Sequence, residues 1–186
     1  MNPTFNIYGT TLIVLAEWKP VAHTSGIVLI TADQRCSPAC MNPNVRHHNM
    51  INNILPKIQA NEAKVADALM LDIDGYVSQT SSASLFMVKN GMLMTPPAND
   101  ITRSTVLKLA KELELETEEK RIPLEEFLSA DEVFSAGTLD ELTPVTMIDG
   151  HVVGSGKMGD ITKRLLEAYH ELPDRADWVT DIPTFH

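Results

Sequence analysis

Short apolar runs separated by two-residue turn signals recur along the chain. Three dipeptides that tolerate positive φ each divide two such runs: Asp74-Gly75, Asn90-Gly91 and Asp149-Gly150. Because turns of this kind join neighbouring antiparallel strands, the pattern predicts three β-hairpins. Apolar runs over Thr10–Trp18 and Gly26–Ala32 predict two further strands nearer the start of the chain.

Three other segments repeat apolar residues with the period of an α-helix. The stripes are Ile51, Ile54, Leu55 and Ile58; Val106, Leu107, Leu109, Ala110 and Leu113; and Ile161, Leu165, Leu166 and Tyr169. Pro56 lies inside the first stripe and predicts a kink or a lost hydrogen bond. The acidic run Glu112–Lys120 predicts a solvated helix end. We therefore expect one α+β domain over residues 1–172 and a loosely held tail over residues 173–186.

Composition and charge narrow the classes of partner. The chain has 186 residues, of which 44% are hydrophobic and 22% charged, enough for one full core. The apolar run Thr11–Ala16 ends at Glu17, and no secretory signal opens the sequence, so we expect a cytoplasmic protein with no membrane partner. A net charge of −10 argues against a nucleic-acid partner. Cys36 and Cys40 have no second pair at metal-ligand spacing, and we interpret them as ordinary loop thiols.

Five motifs in order resemble one protein family. They read N-P-x-V-R-x-x-N-x-x-N-N-I-L from Asn42, D-x-D-G-Y-V-S-Q-T-x-x-x-x-L-F-M-V from Asp72, T-P…I-T-R from Thr95, E-V-F-S-A-G-T-x-x-E-L-T-P-V from Glu132 and D-G-x-x-x-G-x-G-K-M-G-D-I-T from Asp149. Together they resemble the larger domain of the class IV, fold type IV, pyridoxal-phosphate aminotransferases, and the opening Y-G-T-T-L-I-V-L-A-E-W-K-P resembles a branched-chain aminotransferase-like branch. The order and spacing of the motifs carry this resemblance from about Asn2 to Tyr169.

The resemblance implies a fold, a cofactor and partners. The fold would be antiparallel strands in a pseudo-barrel with packed helices, the larger C-terminal domain of the D-amino-acid and branched-chain aminotransferases. The cofactor would be pyridoxal 5'-phosphate, and the substrates an amino acid and a 2-oxo acid. The family's smaller N-terminal domain is absent from this sequence. We therefore expect either a homodimer or association with such a domain.

Arg46 stands where the family has its Schiff-base lysine. The family motif I-K-x-x-N reads Val45-Arg46-His47-His48-Asn49 here. Arginine is no substitute, because its guanidinium stays protonated and is a poor nucleophile. Lys57 lies about three helical turns further on, roughly 16 Å, and is too distant to replace it. Arg46 is either an anion contact or a drifted position, and His47 and His48 are either proton shuttles or surface polar residues.

Gln79 stands where the family has the acid that faces the pyridine nitrogen. That acid keeps the nitrogen protonated, which lets the ring accept electrons from the substrate. The family's G-x-V-x-E reads Gly75-Tyr76-Val77-Ser78-Gln79 here. An amide can form a hydrogen bond with the nitrogen but cannot hold the proton on it, so the resemblance predicts a weakened electron sink.

The family's phosphate site is only partly retained. Its G-I-T-R motif implies phosphate contacts from the backbone of Ile101 and Thr102 at a helix start, completed by Thr138. Asp100 replaces the glycine and is a good N-cap residue, so its carboxylate would compete with phosphate for the same N–H groups. The resemblance also implies that the Thr138 hydroxyl and the Leu139 N–H face the substrate carboxylate.

Three functions remain open. The chain is a branched-chain aminotransferase that transfers an amino group between an amino acid and a 2-oxo acid, a catalytically degenerate domain or fragment, or a small-anion binding module that uses Arg46, Arg103 and Thr138. We favour the degenerate domain for this chain alone, because the substitutions affect different steps of one mechanism.

Overall fold

The computed structural model describes residues 14, 15, 17, 25–36, 49–175, 177 and 178. Its elements are β1 Ile27–Thr31, α1 Ile51–Glu62, β2 Asp67–Leu71, β3 Tyr76–Thr80, β4 Ser84–Lys89, β5 Met92–Thr95, α2 Ile101–Glu112, β6 Thr117–Glu119, β7 Ile122–Pro123, α3 Leu124–Leu128, β8 Glu132–Gly137, β9 Glu141–Ile148, β10 His151–Val152 and α4 Asp160–His170. Among these helices, none has the length and apolar character needed to cross a membrane. Arg46, His47, His48 and Cys40 lie outside the described residues, as does most of the strand predicted over Thr10–Trp18.

Six strands close into a barrel in the order β3-β4-β8-β9-β1-β2, and β2 returns to β3. The closing contact is the pairing of Gln79 on β3 with Ser84 on β4. This architecture confirms the α+β prediction, but the barrel is not wholly antiparallel. β1 is parallel to both β2 and β9. A parallel pair needs a long crossover, and the chain between β1 and β2, which includes α1, supplies one.

The three predicted hairpins are confirmed. Asn90 and Gly91 have φ of 51° and 82°, and Asp149 and Gly150 have φ of 50° and 80°, which fits turns with two left-handed residues. The third turn, Asp74-Gly75, has positive φ only at the glycine, and the ladder it closes shifts register beside Met70. These dipeptides therefore determine which strands pair on the two sides of each turn.

The core lies on both sides of the barrel wall. Leu29, Leu69, Leu85, Met87 and Ile148 are among the buried residues that fill the inside. On the outside, Phe86 and Phe134 stack with ring centroids 4.9 Å apart beneath α2 and α4. The second and third predicted apolar stripes face this outer cluster. Both helices therefore hold the β4–β8 side of the barrel.

The first stripe forms α1, but its apolar residues do not face the barrel. Ile51, Ile54, Leu55 and Ile58 are 44–50% exposed within the described part of the chain. Pro56, which lies inside the helix as predicted, is instead buried against the barrel together with Ala60. Small side chains thus face the barrel, and the large ones form a surface that we call the α1 apolar face.

The prediction of a solvated helix end over Glu112–Lys120 is wrong in part. α2 ends at Glu112, and Thr117–Glu119 forms the exposed edge strand β6, parallel to β5. The backbone of β6 pairs with β5 while its acidic side chains stay in water, as is common for sheet edges. In the predicted tail, Arg175 forms an ion pair with Glu112 at 2.6 Å.

α4 is capped by a side chain from another element. Its N-cap residue, Gly159, has no side chain, and the carboxylate of Glu132 on β8 takes the capping role. This carboxylate accepts hydrogen bonds from the Ile161 N–H at 3.1 Å and from the Thr162 N–H at 2.8 Å. A Cβ at position 159 would lie 2.0 Å from Glu132 Cδ, so only glycine admits the carboxylate.

We predict that Glu132→Ala lowers the free energy of unfolding by about 2 kcal/mol, because two N–H groups at a packed helix start lose their acceptor. Urea denaturation measures the change. The control Glu167→Ala removes an exposed carboxylate from α4, the helix that Glu132 caps. It should lower the free energy of unfolding by no more than about 0.5 kcal/mol. Equal losses in the two variants would contradict the capping role of Glu132.

Candidate functional site

Barrel closure brings the predicted site residues onto neighbouring strands. Gln79 on β3 pairs with Ser84 on β4, and Ser84 pairs with Ala136 on β8. Thr138 follows directly after the end of β8. Gln79 and Thr138 therefore share one region of the barrel. Arg46 lies outside the described residues.

The turn after β8 is open to solvent. Thr138 is exposed and Leu139 is 66% exposed, so neither side chain is held by packing. Gly137, just before them, lies close to the β3–β4 turn, and a Cβ there would be 3.1 Å from the Ala83 Cβ. The glycine thus lets the two turns approach each other.

The start of α2 follows the N-cap prediction. Asp100 Oδ1 accepts a hydrogen bond from the Arg103 N–H at 2.8 Å, and the Asp100 carbonyl accepts one from the Ser104 hydroxyl at 2.9 Å. Ile101 is 82% exposed, whereas Thr102 is buried at 2%. One N–H of the first helical turn therefore already has a negatively charged acceptor from within the chain.

Arg103 is a buried structural residue and does not serve the anion site proposed from sequence. Its side chain donates to the carbonyls of Pro96 at 3.1 Å and Ala98 at 2.9 Å, and it forms an ion pair with Glu119. These bonds fix the segment between β5 and α2. At 4% exposure, the guanidinium has its donors directed into the protein.

These groups do not fit the phosphate of pyridoxal phosphate at the start of α2. A phosphate oxygen there would meet the carboxylate of Asp100, and two unit charges 4 Å apart repel by about 1 kcal/mol in water and about 4 kcal/mol near a protein surface. Arg103, which follows the cup in sequence, is bonded elsewhere. The described residues of the cup therefore lack a positive charge that could offset the repulsion.

Sequence reasoning missed a charged cluster beside the turn between β2 and β3. Arg121 forms ion pairs with Asp72 at 2.7 Å and Asp74 at 2.5 Å, and its guanidinium lies 4.2 Å from the Tyr76 ring centroid. Burial acts to raise the pKa of the Asp72 carboxyl, but hydrogen bonds from Arg121 and two backbone N–H groups outweigh it and lower that pKa. No sequence signal links Arg121 to these residues.

Cys36 lies close to this cluster. Burial raises the pKa of its thiol above the ordinary value, and the negative charge of Asp72 adds to the effect, although a hydrogen bond with Ser78 opposes it. The thiol therefore stays protonated near neutral pH and is a poor nucleophile. This agrees with its interpretation as an ordinary thiol.

Comparisons with known proteins agree with the geometry. The family model for amino-transferase class IV matches residues 4–148. The chain is 49% identical over 192 residues to "Branched-chain-amino-acid aminotransferase-like protein 2" of Arabidopsis thaliana, a match that covers 100% of this chain and 34% of that protein. It is 39% identical over 175 residues to "Putative branched-chain-amino-acid aminotransferase" of Methanocaldococcus jannaschii, covering 91% of this chain and 60% of that protein.

Solved structures give the same result. The branched-chain amino acid aminotransferase of Thermobaculum terrenum, in its PLP-bound holo-form, matches with a TM-score of 0.78 and 31% identity, over 82% of this chain and 53% of that one. The Escherichia coli branched-chain amino acid aminotransferase matches with a TM-score of 0.78 and 35% identity, over 81% and 52%. The chain thus spans between about a third and 60% of these proteins. It belongs to the class IV aminotransferase family and resembles the branched-chain members.

Proposed function

We propose that this chain is a catalytically degenerate class IV aminotransferase barrel, which on its own does not transfer amino groups. The Asp100 cap is the observation that carries this proposal. Its carboxylate accepts the Arg103 N–H at 2.8 Å, at the helix start where the family's phosphate site is expected. The cap stabilises the helix and disfavours a bound anion at the same place.

Gln79 supports the same conclusion. It sits in the β3–β4 ladder as a half-buried residue, in the position implied for the partner of the pyridine nitrogen. Its neutral amide cannot hold a proton on that nitrogen. Arg46 stands at the lysine position, Gln79 at the position of the acid, and Asp100 at the phosphate site. The chain therefore lacks the nucleophile, the acid and the anion site of the family mechanism.

A competing proposal is pyridoxal-phosphate-dependent transfer of an amino group between a branched-chain amino acid and a 2-oxo acid. The match to the aminotransferase-like Arabidopsis protein across 100% of this chain favours it. In that case the missing groups come from another chain or from the remainder of a longer protein.

We predict that Arg46→Lys alone gives no measurable transamination of leucine, isoleucine or valine. A lysine restores a nucleophile, but Gln79 and Asp100 remain. Adding Gln79→Glu and then Asp100→Gly should tighten pyridoxal phosphate binding at each step, with about a tenfold gain from the loss of the carboxylate. A coupled assay for 2-oxo acids and a titration of cofactor fluorescence measure the two effects.

The control for this series is Arg164→Lys, which makes the same change on the exposed surface of α4 and should alter neither measurement. Turnover by Arg46→Lys at a rate ordinary for the family would show that Gln79 and Asp100 do not block the reaction. The Asp100 cap would then not carry the degenerate-domain proposal, and transamination by the wild-type chain would contradict that proposal outright.

We also propose that a second copy of the chain covers the α1 apolar face. Ile51, Ile54, Leu55 and Ile58 are spaced one helical turn apart and are each close to half exposed. A contiguous apolar patch of this kind usually marks an interface. No charged residue lies within the stripe itself, so two copies could pack apolar side against apolar side around a twofold axis.

Light scattering should therefore show a dimer or larger species that grows as salt rises from about 0.05 M to about 0.5 M. Over this range the Debye length falls about threefold, which weakens the repulsion between chains of net charge −10. The double variant Ile54→Lys with Ile58→Lys should shift the population to monomer. The control Ile73→Lys changes an isoleucine that is 61% exposed in the β2–β3 turn and should not.

A monodisperse monomer at every salt concentration would contradict the proposed dimer. If the wild-type chain is monomeric but binds a separately expressed smaller aminotransferase domain, and the double variant does not, the face serves that domain instead.

A further inference from the structure

The turn between β8 and β9 ends in a strained residue. Gly137 pairs with Glu141, so Thr138, Leu139 and Asp140 form the turn itself. Glu141 has a φ of 50°. This is the left-handed region, which short hairpin loops ordinarily fill with glycine or asparagine. A glutamate keeps such a conformation only where neighbouring groups hold it.

Glu141 differs from the other non-glycine residues with positive φ in the described chain. Asn90 and Asp149 are of the residue types that tolerate this conformation. Lys64 and Glu114 come directly after the capping residues of α1 and α2, where helices commonly end in it. Neither explanation applies to Glu141, which is the first residue of β9. Its conformation therefore depends on a contact made by its own side chain.

His170 supplies that contact from α4. Its Nε2 lies 2.7 Å from Glu141 Oε2, in a hydrogen bond that joins residues 29 positions apart. His170 is the last residue of α4, and a positive charge is favoured in the last turn of a helix. A protonated imidazole makes a charge-assisted bond to a carboxylate, about twice as strong as a bond between neutral groups. The protonated form of His170 therefore holds the Glu141 side chain best.

Tyr169, the residue before His170, lies near two carboxylates. Burial raises the pKa of its hydroxyl, and the negative charges of Glu141 and Asp100 raise it further. Glu141 begins β9 and Asp100 caps α2, and α4 packs against both of these elements. The last turn of α4 is therefore adjacent to the β8–β9 turn and to the start of α2, the two parts of the candidate site that face an anion in the family resemblance.

Other charged groups next to α4 are placed away from its last turn or make no contact there. Glu132 of β8 is bound at the opposite end of α4. Arg103 and Glu112 of α2 form ion pairs with other segments. Asp174, in the short 3-10 turn after α4, makes no side-chain hydrogen bond or ion pair with the described residues. The charge of His170 therefore acts most directly on its hydrogen-bonded partner.

We propose that His170, acting through Glu141, is a pH-dependent positioning residue for the turn that carries Thr138 and Leu139. A histidine changes its charge between about pH 5 and pH 8. At acidic pH, the charged pair holds Glu141 in the left-handed conformation. As the pH rises and the imidazole loses its proton, only a neutral hydrogen bond remains, and the strain at Glu141 favours opening of the turn.

The consequence concerns the exposed side of the candidate site. Thr138 and Leu139 are not held by packing, so their placement depends on the ends of the turn. The hydroxyl of Thr143 donates to the carbonyl of Asp140 at 2.7 Å, and this restraint does not change charge with pH. The contact with His170 does. The inference concerns the turn itself, in an active enzyme or a degenerate barrel alike, so it does not rest on the proposed function.

NMR spectroscopy of the 15N-labelled 186-residue chain tests the proposal. The ring signals of His170 and the amide signals of Leu139, Asp140 and Glu141 are followed from about pH 5 to about pH 8.5. We expect the three amides to shift with the same midpoint as the ring. We also expect their protection against hydrogen exchange to fall at least about threefold above that midpoint, because the turn opens more often.

Two variants separate movement of the turn from a direct effect of charge. His170→Gln keeps only a neutral donor, so the amides should show their high-pH signals throughout the range. Glu141→Gly removes the strain while His170 still titrates, so the amides of Leu139 and Asp140 should no longer follow the pH. The matched control His151→Gln changes an exposed histidine of β10 and should leave the wild-type titration unchanged.

The stability of the chain should change in the same direction. His170→Gln should raise the equilibrium constant of unfolding about threefold at about pH 5.5, where the charged pair is present. At about pH 8 the increase should be less than about 1.5-fold, because the wild-type imidazole is then neutral. Urea denaturation at the two pH values measures both changes.

Three results would overturn the proposal. Wild-type amides that do not titrate with the His170 ring would show that the bond between Thr143 and Asp140 is enough to hold the turn. Titration that persists in Glu141→Gly would show that the amides sense only the charge of the ring. Titration that persists in His170→Gln would assign it to another group, such as the Asp140 carboxylate.

Discussion

The pairing of β3 with β4 turns a curved sheet into a closed barrel, and the core and the candidate site are both arranged around that closure. One residue pair, Gln79 with Ser84, closes the barrel, and further along the same strand β4 pairs with β5 instead. Closure separates an apolar interior from an outer face covered by α2 and α4. It also places β3 and the end of β8 on either side of Ser84 on β4, which positions the candidate site. Gln79 therefore has a structural role in the ladder whatever its side chain contacts.

The start of α2 shows how fold stability and cofactor chemistry compete. A helix begins with a few N–H groups that lack partners inside the helix, and they can serve a capping side chain or an anion. Here Asp100 takes one of them, while Arg103 holds the preceding segment through the carbonyls of Pro96 and Ala98. Both residues favour a fixed, self-sufficient helix start. The same arrangement favours a capped helix over a bound anion at this position.

Local signals predicted much of this structure. The turn dipeptides such as Asn90-Gly91 fixed the hairpins, and the Asp100 cap followed from sequence because its partner is three residues away. Contacts that depend on folding were not predictable. Glu132 caps a helix that begins 28 residues later, and Arg121 pairs with Asp72, 49 residues before it. The exposure of the α1 apolar face was also missed, because periodicity reveals a stripe but not which side meets the barrel.

We propose that this chain forms no Schiff base with pyridoxal phosphate at the family site. Incubation with the cofactor, reduction with borohydride and mapping of pyridoxyl-lysine by mass spectrometry test it most directly. We expect no visible absorption band of an aldimine and only scattered, sub-stoichiometric label. Stoichiometric label on a single lysine would rule the proposal out, and label on Lys57 would be the most informative such result, because Lys57 lies on α1, the first described helix after Arg46.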